Sequence, residues 1–240
     1  MDMDIGRAHP VELVEISPRL HMLRFAVGQA YLWRDETELT LIDAGWAGSG
    51  PAVESALRGA GFDPSLLRRI VLTHCHRDHV GAAGALADRF GAEVWAHALD
   101  APVIRGELPV SEPDLLDWER PLYAHGLTTV PEAPPTRVDR EVADGEELGF
   151  GDGAVVVHAP GHTPGSIAVH LPRHGVLFTG DTVASMPDVM FGVFHVDRAR
   201  ALASMRRLAG LRPSVLCCGH GEPVTTDTAE RLAKAAALAG

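Results

Sequence analysis

The sequence predicts a protein of the mixed α/β (α+β) class, and three features carry that prediction. Short apolar runs rich in β-branched residues are bounded by Gly, Pro or charged turn residues. Segments with the apolar spacing of a helix lie between them. The two kinds recur in two successive halves without linker, low-complexity tract or sequence repeat, so residues 1–240 are expected to form one domain.

The first quarter is strand-rich, with VELVEI (11–16), LHMLRFAV (20–27), AYLWR (30–34) and ELTLIDA (38–44). GPAVESALRGAG then reads as a short helix, Pro51 near its start and glycines at its end. RRIVLT (68–73) is a buried strand, HVGAAGALADRF (79–90) has helical spacing, and AEVWAH (92–97) returns to strand. From about 100 to 135 the pattern fails at Pro102, Pro109, Pro113, Pro121, Pro131, Pro134 and Pro135, which predicts a Pro-rich insertion or lid loop. AVVVHAP (154–160), SIAVHLP (166–172) and GVLFTGD (175–181) are three further strands. DRARALASMRRLAG is a helix capped by Asp197, SVLCCGH a strand, and DTAERLAKAAALAG a closing helix with Asp227 and Glu230 as its N-terminal signature.

Composition excludes several classes of function. The net charge of −11 argues against nucleic acid, whose phosphates call for a basic stripe. No apolar run approaches a membrane span, and MDMDIGRAHP lacks the apolar core of a signal peptide. Cys75, Cys217 and Cys218 are too few for a disulfide framework and suit reduced thiols, so a cytoplasmic protein without membrane or nucleic-acid partners is expected. A homodimer and a monomer both remain open.

The chemistry concentrates in THCHRDHVGAAG, where His74, His76, Asp78 and His79 spell H-x-H-x-D-H. Composition alone would produce that pattern in roughly three chains per thousand. In an extended stretch i and i+2 point the same way, so His74 and His76 can reach one ion. Asp78 and His79, where the chain turns into a helix, can face a second. Zinc takes four or five ligands and accepts imidazole nitrogen and carboxylate oxygen. His162, Asp181 and His220 each follow an apolar run beside a glycine and complete a candidate set on one edge.

H-x-H-x-D-H followed by G-H-T-P-G-S, T-G-D and G-H-G resembles the metallo-β-lactamase superfamily, from LIDAG (41–45) through GHGEP (219–223). The resemblance implies a four-layer αββα sandwich with a cleft at one edge of its two sheets. It implies that His74, His76 and His162 hold one divalent ion, that Asp78, His79 and His220 hold another, and that Asp181 bridges them. Asp43 matches an aspartate that orients a ligand histidine. Two ions, zinc first and iron or manganese by supply, would share an acidified water and make the chain a hydrolase of small-molecule esters, lactones or thioesters. Asp78 would also serve catalysis by accepting a hydrogen bond from the nucleophile. The alternative on the same fold is a persulfide-dioxygenase-like oxidoreductase with a single iron.

Subfamily features narrow the substrate. A bridging aspartate equivalent to Asp181 disfavours penicillins, and Ala184 in GDTVASMPD stands where similar lactonases place a tyrosine nearby. The short stretch after His220, with one lysine in KAAALAG, counts against glutathione thioesters. Trp118, Tyr123, Met190, Phe191, Phe194 and His195 either line a substrate pocket or pack beneath loops. His158 and His170 alternate within strands, His9, His21, His97 and His174 read as surface residues, and Cys75 as packing. Neither Ser49 nor Ser166 sits in a nucleophile elbow.

Overall fold

The computed structural model describes residues 10–239. His9 and the start of the acidic N-terminus lie outside them. The first sheet holds β1 (Glu12–Ser17), β2 (Leu20–Arg24), β3 (Gln29–Arg34), β4 (Leu39–Ile42), β5 (Leu67–Val71), β6 (Glu93–His97) and β7 (Arg140–Val142), paired in chain order. The strands alternate in direction up to β4, and β4 to β7 run parallel. Between them lie α1 (Gly50–Gly59), α2 (Arg77–Val80), α3 (Ala83–Phe90), α4 (Ala101–Ile104) and α5 (Arg120–Thr129). The second sheet holds β8 (Val155–His158), β9 (Ile167–Leu171) and β10 (Val176–Gly180). After the ribbon β11 (Val183–Ser185) and β12 (Val189–Phe191) come α6 (Arg198–Ala209), β13 (Val215–Cys218) and α7 (Thr228–Leu238), and the sheet order is β13-β10-β9-β8.

Alternation along the strands builds four layers. Leu32 and Leu41 face α1 and α3 through Val53, Leu57 and Leu86. Their neighbours Tyr31, Trp33 and Ile42 face the second sheet and meet Val156, Val169 and Phe178. Leu177, Leu216 and Cys218 point the other way, onto Met205 and Leu208 of α6 and Leu232 of α7. Three apolar interfaces between four layers make an αββα sandwich, and a period of two in the sequence is what sorts each side chain to its interface. Phe178, 1% exposed between the sheets, would cost about 3–5 kcal/mol if truncated to alanine.

Several elements depart from expectation. Residues 100–135 contain two helices, because Pro102 and Pro121 stand in the first turns of α4 and α5, where a missing N–H costs nothing. The helix expected over 79–90 starts earlier and breaks into α2 and α3 around Gly81, whose absent Cβ lets the backbone of Trp46 and Ala47 approach. Asp227 stands before α7 at φ 49 but its side chain caps nothing. His21 and His97 are buried rather than superficial, at 7% and 8% exposure. Among the described residues no helix is long and apolar enough to cross a membrane.

Candidate metal centre

Strand direction explains why residues far apart in sequence meet. Parallel β4 and β5 end at Asp43 and at the turn carrying His74, on the same edge. β10 and β13 are parallel and deliver Asp181 and His220, while β8, antiparallel to β9 as β9 is to β10, points its following loop and His162 the same way. Ligand-bearing loops at carboxyl ends of parallel strands are the usual site geometry of such sheets.

Among the described residues the ligand-type atoms form three groups in which all lie within 4.8 Å of one another: His74, His76 and His162; Asp78, His79 and His220; and Asp43, His74 and His79. Asp181 stands between the first two. Its Oδ2 lies 3.8 Å from His74 Nε2 and 3.7 Å from His162 Nε2. The same oxygen is 3.1 Å from His220 Nε2, while Oδ1 is 3.4 Å from His79 Nε2. All eight residues named from the sequence are thus brought together.

Hydrogen bonds decide which nitrogen of each ring faces inward. Asp43 Oδ2 accepts from His79 Nδ1 at 2.9 Å and from Thr73 Oγ1 at 2.8 Å. With its proton committed to Asp43, the Thr73 hydroxyl accepts from His74 Nδ1 at 3.0 Å. His162 Nδ1 donates to the Val193 carbonyl, 3.1 Å away. His74 and His162 therefore turn an unprotonated Nε2 toward the centre, which is what a metal ligand requires. On His79 burial is outweighed by Asp181, Asp78 and Asp43, which raise the pKa well above the ordinary histidine range, so that a cation there would displace a proton from Nε2. His162 Nε2, left without a proton, accepts from His76 Nδ1 at 2.9 Å.

The donor set fits divalent metal. His74 Nε2 and Asp181 Oδ1 are buried without a hydrogen-bond partner, and a buried polar atom left so is costly unless a cation supplies the contact. Burial holds His74 and His162 well below the ordinary histidine range, favouring the neutral rings that bind metal. Burial works against charge on His220 too, but Asp181 and Asp78 prevail and lift it to about 10. Burial likewise opposes ionisation of Asp78 and Asp181, yet His79 and His220 hold both well below the carboxylate range. The carboxylates draw protons onto nearby imidazoles, the mark of a site short of positive charge.

Two glycines and one aspartate shape the pocket. A Cβ on Gly219 would collide with Asp181 Oδ1 and lie 2.8 Å from His79 Cε1. One on Gly192 would strike the Asp181 carbonyl. Asp100, 1% exposed, accepts from Thr163 Oγ1 at 2.6 Å and Gly165 N at 2.7 Å and so pins the loop bearing His162. Thr73, Asp100, Gly192 and the Val193 carbonyl were not legible as site features. A threonine beginning THCHRDH was the one local signal available.

The residues suspected of lining a pocket divide. Phe191 stacks on His195 at 4.2 Å, lies under Arg198 at 5.6 Å and packs against the core beneath α6 and α7. His195 is fully buried and meets His162 edge-on at 5.5 Å. Phe194 and Tyr123 remain half-exposed and touch at 5.3 Å, while Trp118 is exposed.

A four-layer sandwich with clustered histidines and aspartates at the carboxyl ends of its strands defines a class of metal-binding protein, and the comparisons agree. Residues 23–220 match the family model of the metallo-beta-lactamase superfamily, and the chain belongs to that superfamily. It is 29% identical to a probable metallo-hydrolase of Bacillus subtilis, over 88% of this chain and 87% of that one. It is 31% identical to the hydroxyacylglutathione hydrolase GloC of Haemophilus influenzae, over 91% and 95%. Against the hydroxyacylglutathione hydrolase of Rhodobacter capsulatus, identity is 31% over 80% of this chain but only 61% of the relative. A metallo-beta-lactamase family protein of Thermus thermophilus superposes with a TM-score of 0.67 at 25% identity, covering 93% and 79%. The beta-lactamase MIM-1 of Novosphingobium pentaromativorans shares the fold, with a TM-score of 0.73 at 21% identity over 97% and 88%.

Proposed function

We propose that this chain is a dinuclear metallo-hydrolase that cleaves an ester, lactone or thioester bond in a small molecule. The observation that carries the reading is Asp181, one carboxylate reaching the histidines of two separate groups. His74, His76 and His162 would hold one ion, Asp78, His79 and His220 the other, and Asp181 both. Zinc suits this imidazole and carboxylate set, with iron and manganese as accepted substitutes. When bound, the pair supplies a water acidified toward neutral pH and a Lewis acid for the scissile carbonyl.

The protein's own residues do the rest. Asp43, Thr73 and the Val193 carbonyl keep three imidazoles in the ligating tautomer. Asp78, held ionised by His79 and His220, would accept a hydrogen bond from the attacking water and keep it in line. Three buried free thiols support a reducing, cytoplasmic setting. The name of the Haemophilus relative, a hydroxyacylglutathione hydrolase of nearly the same extent, supports keeping thioesters among the substrates.

Elemental analysis of the purified protein, followed by a screen of ester, lactone, thioester and phosphodiester substrates, tests the reading. About two zinc ions per chain and chelator-sensitive hydrolysis are expected. One iron per chain with oxygen uptake on a persulfide would replace it with the dioxygenase reading, and full hydrolysis by metal-free protein would end it.

A further inference from the structure

We propose that Glu119 is a positioning residue: it fixes the peptide plane between Val193 and Phe194, and through that plane the tautomer of His162. The inference rests on the reading of His162 as a ligand only for its consequence in metal binding.

Glu119 stands at the start of α5 with no exposed surface. Its carboxylate accepts from Leu116 N at 2.8 Å, from Arg198 Nη1 at 3.0 and 3.2 Å, and from Phe194 N at 3.4 Å. Arg198 neutralises the buried charge, and the two backbone N–H groups take up the remaining acceptor sites. The Phe194 N–H is one end of a peptide unit whose other end, the Val193 carbonyl, receives His162 Nδ1–H at 3.1 Å. That plane is therefore held between a carboxylate and an imidazole.

The orientation is a strained one. Phe194 has φ 59, a region a bulky aromatic residue rarely enters and keeps only when its surroundings impose it. Turning the plane over would carry Phe194 to ordinary negative φ and swing the Val193 oxygen away from His162. An N–H would then face Nδ1. The ring would answer by taking the other tautomer, with its proton on Nε2, the atom that faces His76. Other backbone bonds hold the ends of this segment: Val196 N to His162 O at 3.3 Å, Asp197 N to Gly161 O at 2.8 Å and Asp114 N to His195 O at 2.8 Å. None of them engages the 193–194 plane. Glu119 does, so the segment 100–135 reaches the metal centre through a hydrogen bond.

The test uses the full chain carrying Glu119→Gln, which keeps size but sets an amide NH2 against one of the backbone N–H donors. Long-range 1H–15N spectra of metal-stripped protein read the His162 tautomer directly. Wild type is expected to carry the proton on Nδ1, and the variant to show a mixture or Nε2–H. In competition with a chromophoric chelator for zinc, one of the two ions should bind about 10–100-fold more weakly and the other as before. Arg198→Met should move both readouts the same way and serves if Glu119→Gln does not fold, while Arg198→Lys should restore them. Unchanged His162 tautomer and zinc affinity in the folded variant would overturn the inference. A wild type that binds no zinc while its variant still switches tautomer would sink the hydrolase reading and leave this one standing.

Discussion

Asp43 Oδ2 lies 2.9 Å from His79 Nδ1 and accepts the Thr73 hydroxyl at 2.8 Å, so one oxygen orients two imidazoles, His79 directly and His74 through Thr73. The other oxygen accepts the Thr73 backbone N–H at 2.7 Å. Asp43 itself sits at φ 62, a left-handed conformation that aspartate tolerates better than most residues. Asp43→Asn would put an NH2 against one of these donors. Zinc affinity is expected to fall about 10–100-fold with the fold retained, as read by chelator competition and circular dichroism. Wild-type affinity in the variant would show that the ring orientations need no help from Asp43.

Gly219→Ala places a methyl against Asp181 Oδ1 and His79 Cε1. The expected result is loss of metal, with fewer ions per chain by elemental analysis, and about 1–3 kcal/mol of destabilisation from overpacking. Full occupancy with unchanged stability would mean that the carboxylate has room to move aside.

Metal should stabilise the fold. A ligand present at a hundred times its dissociation constant adds about 2.7 kcal/mol, which for a chain of this size raises Tm by roughly 5–10 °C. Thermal scans of stripped protein with and without zinc check this, and a chelator should reverse the gain. A melting temperature indifferent to zinc would contradict the donor geometry.

His21 predicts a pH dependence away from the site. Burial lowers its pKa below 6.5, Glu15 opposes the shift and Arg34 adds to it, while Nδ1 is buried without a partner. The folded state thus prefers the neutral ring. Its contribution is present in full above pH 6.5 and is lost as pH falls from there through the lowered value, because the unfolded chain binds the proton more readily. His21→Leu should flatten the fall in urea midpoint between pH 7 and 5; an unchanged slope would assign it to other groups.

Much of this was legible because it is local. The apolar runs and turn residues placed most strands. H-x-H-x-D-H, GHTPGS, TGD and GHG sit at strand ends, where short-range spacing and polarity announce them. The helices in 100–135 were hidden because prolines in a first turn look like prolines in a loop. The short ribbon β11–β12 was hidden because three-residue strands carry too few alternations to register.

By itself the sequence determined the mixed α/β class and the side chains that gather at one edge, since periodicity and spacing are properties of neighbouring residues, while the four layers came from the resemblance of its motifs to a known superfamily. Only the tertiary structure decided which nitrogen of each imidazole faces inward. That choice is made by partners such as Asp43 for His79, 36 positions apart, and the Val193 carbonyl for His162, 31 apart. A hydrogen bond across such a gap depends on where two loops are carried by their strands, and no local pattern encodes which carbonyl will lie opposite a ring.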